Sequence, residues 1–186
     1  MKLSIIVPVY NMAANGKLNY CLASLVKQTI NDYEIIAVDD CSTDESLSIL
    51  KNYEAQYPDR FRAIHSDRNR HQGGAKNIGL REAVGEWIGF IDADDWIVPD
   101  FYERLIAKAE ETGADVVGCD YSLVHEHTFE VGQIVRNSHP DQEGELDHDR
   151  KASLILDSGS LCVKIFKRET IISQGLFFPE DIFYED

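Results

Sequence analysis

The segment Gly89–Trp96 carries the strongest chemical signal in the chain, because an apolar run ends there abruptly in three aspartates. The apolar residues are typical of a buried strand, and Asp92, Asp94 and Asp95 follow at its C-terminal end. Like charges about 5 Å apart repel by roughly 3 kcal/mol per pair at an effective dielectric near 20. A cation would offset that repulsion, and oxygen-rich clusters suit Mg²⁺ or Mn²⁺, which also bridge phosphates. The segment predicts a divalent metal site that holds a diphosphate; the alternative is an acidic loop in which Asp95 or Asp100 caps a helix.

Size and composition restrict the class of protein. The 186 residues are enough for one domain with a full core, and an apolar fraction of 44% is ordinary for a globular protein. No apolar run approaches the roughly 18 residues of a transmembrane segment. The N-terminus has no signal-peptide pattern, so we expect a first strand there. A net charge of −15 argues against nucleic acid or an anionic membrane as a direct electrostatic partner.

The cysteine pattern predicts free thiols rather than disulfides or zinc ligands. The four cysteines are widely spaced, with no C-x-x-C pair and no histidine at zinc spacing: Cys21, Cys41, Cys119 and Cys162. Free thiols are the default in a reducing compartment, so this pattern favours the cytoplasm.

Strand and helix patterns alternate along the first two thirds of the chain. Short apolar segments predict strands at residues 3–8, 33–38, 61–65, 86–91 and 115–119. Helical spacing and helix start or stop signals predict helices at residues 18–29, 73–83 and 99–112. A further helix is predicted to begin within residues 41–44, where Ser42 or Thr43 can cap it. Alternation with short links implies an α/β fold, a mainly parallel Rossmann-like sheet with helices on both faces.

The pattern weakens after Tyr121. Val131–Arg136 favours one strand of a hairpin, and residues 137–150 form a polar segment that predicts an exposed loop. Helical spacing resumes at residues 152–156, before a predicted strand at 161–166 and a short helix at Arg168–Ser173. The chain stops at Tyr184–Asp186 with no closing element, so we expect it to be part of a longer domain.

Polar signals follow three of the predicted strands. They are Tyr10–Asn11 after the first strand, Asp39–Asp40 after the second and Asp92–Asp95 after the fourth. Ligands of parallel α/β sheets bind beyond the carboxyl ends of the strands, where these residues would meet. This convergence supports a metal-nucleotide site more strongly than any single motif does.

Two other classes of protein use similar features. A nucleotidyltransferase also binds a metal-diphosphate on an α/β sheet, but it needs a Gly-rich basic loop after the first strand, and residues 8–15 are not such a loop. A non-catalytic nucleotide-sugar-binding module would bind a donor without transferring or hydrolysing it.

Several stretches, in the right order, resemble motifs of family 2 glycosyltransferases. The first stretches are Val7–Asn11, which resembles the family's opening strand and loop, and Gln28–Thr29 with Tyr33–Ile35. Two further stretches are Val38–Asp44, which resembles the family pattern V-D-D-x-S-x-D, and His71–Gly79, which resembles G-x-x-x-A-R-N-x-G. The last three are Phe90–Asp95, Val163–Lys167 and Tyr184–Asp186, which resemble D-x-D-D, N-K-L-[FY]-[KR] and E-D. Each motif alone is weak, whereas so many in register are specific, and they span nearly the whole chain. The family is an inverting one with a GT-A fold.

The resemblance implies transfer of a sugar from a nucleotide-sugar donor, usually a UDP-sugar, to a hydroxyl of a carbohydrate or lipid-linked acceptor, with inversion. It places residues 1–120 in the nucleotide-sugar-binding part of a single domain and residues 121–186 at the start of the acceptor-binding part. It also implies a role in polysaccharide or glycolipid synthesis, in the cytoplasm or peripherally at the inner face of the membrane.

The same resemblance assigns the nucleoside contacts. Pro8, Tyr10 and Asn11 would flank the base and ribose. Either Asp39 or Asp40 would accept a hydrogen bond from the uracil N–H, a task that suits a carboxylate because it only accepts and its charge strengthens the bond.

Further assignments concern the phosphates and the sugar. Lys76 and Asn77 would face the donor near its phosphates, and Asp92 and Ala93 would face the ribose or sugar. The family usually has Arg where Lys76 stands, and Lys keeps the charge but loses the bidentate fork. Val163 replaces the usual Asn of the later motif, which leaves the role of that motif open.

The chemical step is assigned to acidic residues. Asp94, together with Asp95, would hold Mg²⁺ or Mn²⁺ as a Lewis acid on the diphosphate. Asp186 would be the general base that deprotonates the acceptor hydroxyl, with Glu185 in reserve.

Overall fold

The computed structural model describes residues 1–125, 130–137, 144–145 and 160–180. The strands in this part of the chain are β1 (Leu3–Val9), β2 (Tyr33–Asp39), β3 (Phe61–His65), β4 (Trp87–Phe90), β5 (Val116–Gly118), β6 (Tyr121–Val124), β7 (Val131–Val135) and β8 (Lys164–Lys167). The helices are α1 (Lys17–Leu25), α2 (Ser46–Gln56), α3 (His71–Glu82), α4 (Phe101–Thr112) and α5 (Arg168–Ser173).

A six-stranded sheet in the order β3-β2-β1-β4-β8-β5 forms the centre of the fold. Strands β1 to β4 are parallel, and β8 lies antiparallel between β4 and β5. Strands β6 and β7 form a separate antiparallel hairpin. The expected α/β fold with a mainly parallel sheet is confirmed, and β8 is its antiparallel member.

Each face of the sheet is covered by helices. Residues Leu3, Ile5 and Val7 of β1 point to a cluster that includes the buried residues of α1, α2 and α4. Ile6 of β1 points the other way, to a cluster with Ala75 and Leu80 of α3 and with residues of β8 and α5 packed against it. The alternation follows from the two-residue period of a strand, and full burial of β1 and β2 explains their continuous apolar sequences.

The end of α1 differs from the sequence prediction. The helix ends at Leu25 instead of continuing to Thr29. Gln28, three residues after this end, makes hydrogen bonds to both α1 and the start of α4. Its amide N–H donates to the Ser24 and Val98 carbonyls at 3.1 and 2.8 Å, and its Oε1 accepts the Tyr102 N–H at 3.2 Å. A buried glutamine therefore joins the end of α1 to the start of α4, where continued helix would break these bonds.

The start of α2 is also corrected. The helix begins at Ser46, and neither Ser42 nor Thr43 caps it, because both bind the loop after β1. Asp44 lies just before the helix instead, and its Oδ1 accepts the Ser46 N–H at 2.9 Å.

Other boundaries move by a few residues. Helix α3 begins at His71, two residues before the predicted start, and Pro99 lies outside α4, whose N-cap is Asp100. Strand β8 begins at Lys164 rather than at Leu161, because the Lys164 N–H donates to the Leu161 carbonyl and closes a turn there. The predicted helical segment 152–156 lies outside the described residues.

Gly113 ends α4 as predicted. It adopts the left-handed conformation, with φ of 69°, and its N–H donates to the Ala109 carbonyl at 2.8 Å. Within the described ranges, no helix is both long and apolar enough to cross a bilayer.

Close packing at Gly89 is expected to limit substitution in β4. A Cβ at Gly89 would lie 2.6 Å from Tyr102 Cε1 and 2.8 Å from its hydroxyl oxygen, and that ring is fully buried. We expect Gly89→Ala to lower the free energy of unfolding by about 1–3 kcal/mol, the usual cost of overpacking a core. Urea denaturation measures this change, and Val84→Ala at a position that is 62% exposed is the control, expected to shift it by less than about 0.5 kcal/mol. Equal stability of Gly89→Ala and the wild type would contradict the packing described here.

Candidate active site

The loops after β1 and β2 are tied together at the carboxyl edge of the sheet. The Asn11 N–H donates to Ser42 Oγ at 3.0 Å, and Asn11 Oδ1 accepts the Thr43 N–H at 2.8 Å. The Ala13 N–H donates to Asp44 Oδ2 at 2.9 Å. Asn11 itself has a left-handed backbone, with φ of 53°. Its side-chain oxygen thus shapes the two loops, and contact with a base or ribose stays a prediction for this residue.

Pro8 and Tyr10 differ in their exposure at this edge. Pro8 is buried within β1, whereas the side chain of Tyr10, just after the strand, is exposed. Of these two residues, Tyr10 has the larger accessible side chain for stacking against a nucleoside base.

Asp39 ends β2 as a fully buried carboxylate. Its Oδ2 lies 2.7 Å from His65 Nδ1 and accepts the Ser42 N–H at 3.3 Å. Its Oδ1 is buried and has no hydrogen-bond partner among the residues that the structure describes. An unpaired buried acceptor is costly, so this oxygen is suited to a donor that a ligand brings.

The side-chain oxygens of Asp40 make hydrogen bonds within the protein. Both of its oxygens accept the Arg70 N–H, at 2.9 and 3.0 Å, and so anchor the residue that precedes α3. Burial raises the pKa of the Asp40 carboxyl, and the Arg70 N–H opposes that rise. The sequence left Asp39 and Asp40 as equal candidates for the base contact, and that contact stays a prediction for both.

A tight turn groups two of the three aspartates after β4. The Asp95 N–H donates to the Asp92 carbonyl at 3.0 Å, which brings residues i and i+3 to one side of the loop. Side-chain oxygens of Asp92 and Asp95 and the sulfur of Cys162 all lie within 4.8 Å of one another. Gln72, in the first turn of α3, donates its amide N–H to Asp92 Oδ1 at 2.6 Å.

The electrostatics of this group suit a hard cation. Partial desolvation, together with the charges of Asp92 and Asp94, raises the pKa of Asp95 to about 6, although the residue keeps exposed surface and Lys17 lowers the value. Burial and the charge of Asp92 also raise the pKa of the Cys162 thiol. The carboxylate oxygens of Asp92 and Asp95 are the ligand type that Mg²⁺ and Mn²⁺ prefer.

The structure brings Asp92 and Asp95 together, whereas the sequence predicted that Asp94, with Asp95, holds the metal. Asp94 is exposed at the middle of the turn, and Ala93 is buried beneath it. An exposed carboxylate next to the pair can still reach an ion, so metal binding by Asp94 stays a prediction.

Lys76 and Asn77 lie on the buried side of α3, each 1% exposed. The Lys76 ammonium lies 5.2 Å from the centre of the Phe178 ring. The Asn77 amide pairs with the backbone of Phe178. Contact of either residue with donor phosphates is not visible from these partners and stays a prediction. Glu185 and Asp186 lie outside the described residues.

Sequence reasoning missed three residues of this edge. His65, which ends β3, contacts Asp39 across the sheet, and its place after a strand was the available signal. Gln72 begins a helix, which also places it at this edge. Cys162 had no signal, because its approach to Asp92 depends on the antiparallel insertion of β8.

The raised pKa of Asp95 predicts a pH dependence of stability. Its ordinary value is 3.8 and its folded value about 6, so ionisation opposes folding, and stability is lost as pH rises through that window. Without metal, we expect Asp95→Asn to be more stable than the wild type at about pH 8, with the difference vanishing near pH 4. Urea midpoints at both pH values measure this, with the exposed Asp59→Asn as matched control. A constant difference between Asp95→Asn and the wild type across that range would contradict the assignment.

Comparison with known proteins identifies the family. The family model for glycosyl transferase family 2 matches residues 4–166. The uncharacterized glycosyltransferase EpsJ of Bacillus subtilis is 34% identical over 189 residues, which cover 98% of this chain and 53% of EpsJ. The chain therefore spans about half the length of this relative.

Two solved structures share the fold. The crystal structure of S. aureus TarS 1-349 in complex with UDP-GlcNAc has a TM-score of 0.77 at 27% identity and covers 100% of this chain and 51% of that chain. Mannosyltransferase PcManGT from Pyrobaculum calidifontis, in complex with GDP-Man and Mn²⁺, has a TM-score of 0.71 at 22% identity over 100% of this chain and 49% of that one, a likeness of fold. With the family model covering most of the sequence and EpsJ aligned along nearly all of it, the chain belongs to glycosyltransferase family 2.

Proposed function

We propose that this chain binds a UDP-sugar with a divalent cation at the carboxyl edge of the sheet and transfers the sugar, with inversion, to an acceptor hydroxyl. One observation carries the proposal: the unpaired buried oxygen of Asp39 and the crowded carboxylates of Asp92 and Asp95 stand at the same edge, on either side of β1. A nucleoside diphosphate needs both kinds of contact, one for its base and one for its phosphates.

Asp39 would read the base. A carboxylate oxygen without a donor matches the single imide N–H of uracil, and His65 and Ser42 hold the other oxygen in place. Tyr10, exposed beside this position, would lie against the base or ribose. TarS, the fold neighbour solved with UDP-GlcNAc, makes that donor the first to assay.

Asp92, Asp95 and Asp94 would hold the cation. Their crowding supports this role, and PcManGT shows that the fold accommodates Mn²⁺ beside a nucleotide-sugar. A divalent cation bound there would neutralise the negative charge that develops on the leaving diphosphate. Gln72 would orient Asp92, because its amide N–H donates to Asp92 Oδ1 at 2.6 Å.

Inversion requires a single displacement in which the acceptor hydroxyl loses its proton to a base. By resemblance to the family's E-D motif, Asp186 is the proposed base and Glu185 the reserve. A positioned base contributes about 10²–10⁴-fold to the rate. The acceptor would be a carbohydrate or a lipid-linked one in polysaccharide or glycolipid synthesis, reached from the cytoplasm or the inner face of the membrane.

We expect UDP binding to depend on the divalent cation through these aspartates. Wild-type chain should bind UDP about tenfold more tightly with Mn²⁺ than with EDTA, a difference of about 1.4 kcal/mol. Asp94→Ala and Asp95→Ala should lose that gain, because each removes a carboxylate from the crowded group. Isothermal titration calorimetry measures the six affinities, those of the wild type and of both variants, each with Mn²⁺ and with EDTA.

Asp115→Ala is the control for the metal experiment. Asp115 is an exposed acid just before β5, at the end of the sheet opposite to the carboxyl ends of β1, β2 and β4. Its loss should leave UDP binding unchanged. UDP binding that is equal with and without Mn²⁺, in the wild type and both variants, would refute the site assignment. A chain that binds UDP-sugars in this way but never transfers or hydrolyses them would instead be a binding module.

A second prediction separates base recognition from phosphate recognition. Asp39→Asn should weaken UDP binding about tenfold, because a neutral acceptor replaces a charge-assisted one. Inorganic pyrophosphate with Mn²⁺ lacks a base, so its affinity should stay the same in this variant. Equal losses for UDP and pyrophosphate would show that Asp39 supports the site as a whole rather than the base.

A further inference from the structure

We propose that Asn77 is a positioning residue, which fastens the segment Phe178–Glu180 to α3 and thereby sets how the acceptor side of the site meets the donor edge. This inference rests on the proposed function, because the residues that follow the segment include the proposed base, Asp186. It gives Asn77 a different role from the predicted contact with the donor phosphates.

Asn77 pairs with Phe178 in both directions. Asn77 Nδ2 donates to the Phe178 carbonyl at 2.9 Å, and the Phe178 N–H donates to Asn77 Oδ1 at 2.9 Å. The side-chain amide thus takes the place of a peptide group in a strand pair. Because Asn77 is almost fully buried, these bonds are shielded from water and fix one peptide unit of the segment on α3.

The second N–H of Asn77 is also engaged. It lies within hydrogen-bond distance of Glu180 Oε1, at 3.3 Å. An asparagine side chain has two N–H donors and one oxygen, and the segment uses all three groups. An amide with both donors committed has none left for a phosphate, which is why the geometry favours positioning over donor binding.

Charged groups of α3 and of the residue before it reinforce the same contact. Arg70 Nη1 and Arg81 Nη2 lie 3.7 and 3.5 Å from the Glu180 carboxylate, and the bond from Asn77, followed by those groups, lowers the pKa of Glu180. The Lys76 ammonium lies over the Phe178 ring, 5.2 Å from its centre. The segment is therefore held along three turns of one helix.

Helix α3 also touches the donor edge directly. The Arg70 N–H, just before its first turn, binds Asp40 at the end of β2, and Gln72 binds Asp92 after β4. One rigid helix thus contacts the base side, the metal side and the segment that leads to the proposed base. A clamp in the middle of that helix ties the segment Phe178–Glu180 to both sides of the donor edge.

The test compares Asn77→Ala with Asn52→Ala as matched control. Asn52 is exposed on α2, the helix that covers the opposite face of the sheet from α3, so its substitution should change little. Three quantities are measured on the whole chain: the Kd for UDP with Mn²⁺, the hydrogen exchange rate of the Phe178 amide, and UDP release from UDP-GlcNAc and from UDP-glucose. Urea denaturation reports whether global unfolding contributes to exchange.

For Asn77→Ala we expect UDP affinity within about twofold of the wild type. The Phe178 amide should exchange at least about tenfold faster, because its acceptor is removed. We expect kcat to fall at least about tenfold while KM for the donor stays unchanged. Unchanged exchange, or faster exchange with unchanged kcat, would overturn the positioning role. Weaker UDP binding with an unchanged exchange rate would indicate that Asn77 binds the donor instead. Failure of the wild-type chain to bind UDP would refute the proposed function instead, and the exchange rate would still test the clamp.

Discussion

The parallel pairing of β1 with β2 and with β4 is the constraint on which the site depends. Val9 pairs with Asp39, so β2 ends beside the end of β1, and Phe90 at the end of β4 pairs with Ile6, three residues before that end. Parallel strands release all their carboxyl ends at one edge, and three acidic or polar turns therefore share it. Partial desolvation and then the charges of Asp92 and Asp94 raise the pKa of Asp95 at this edge to about 6.

Several motif residues of the family have structural partners in this fold. Gln28 joins α1 to α4, and Glu34 is a buried carboxylate that accepts the Ser4 hydroxyl at 2.6 Å and the Val84 N–H at 3.0 Å. Asn11 and Asp40 hold loops in the same way. Buried polar groups need partners, so a fold with loops this tightly tied requires particular polar side chains at particular positions. A sequence motif alone does not distinguish such a residue from one that binds substrate.

The sequence predicted the fold well where burial is continuous. Strands β1 and β2 are buried along their whole length, and their apolar runs located them to within a residue. Helix ends were less accurate, because they depend on distant partners: α1 stops where Gln28 reaches Val98, some 70 residues away. The same limit applies to the site. The edge and its aspartates could be predicted from strand order, whereas the contacts of His65 with Asp39 and of Cys162 with Asp92 arise from tertiary packing, which periodicity does not encode.

The most direct test of the central claim is a crystal structure of the chain grown with UDP and Mn²⁺, with anomalous diffraction recorded to locate the manganese. The account predicts one manganese peak bonded to the diphosphate and to carboxylates of the Asp92–Asp95 turn, with the uracil ring N–H on Asp39. A nucleotide bound away from the carboxyl edge, or manganese bound without any of these aspartates, would contradict it.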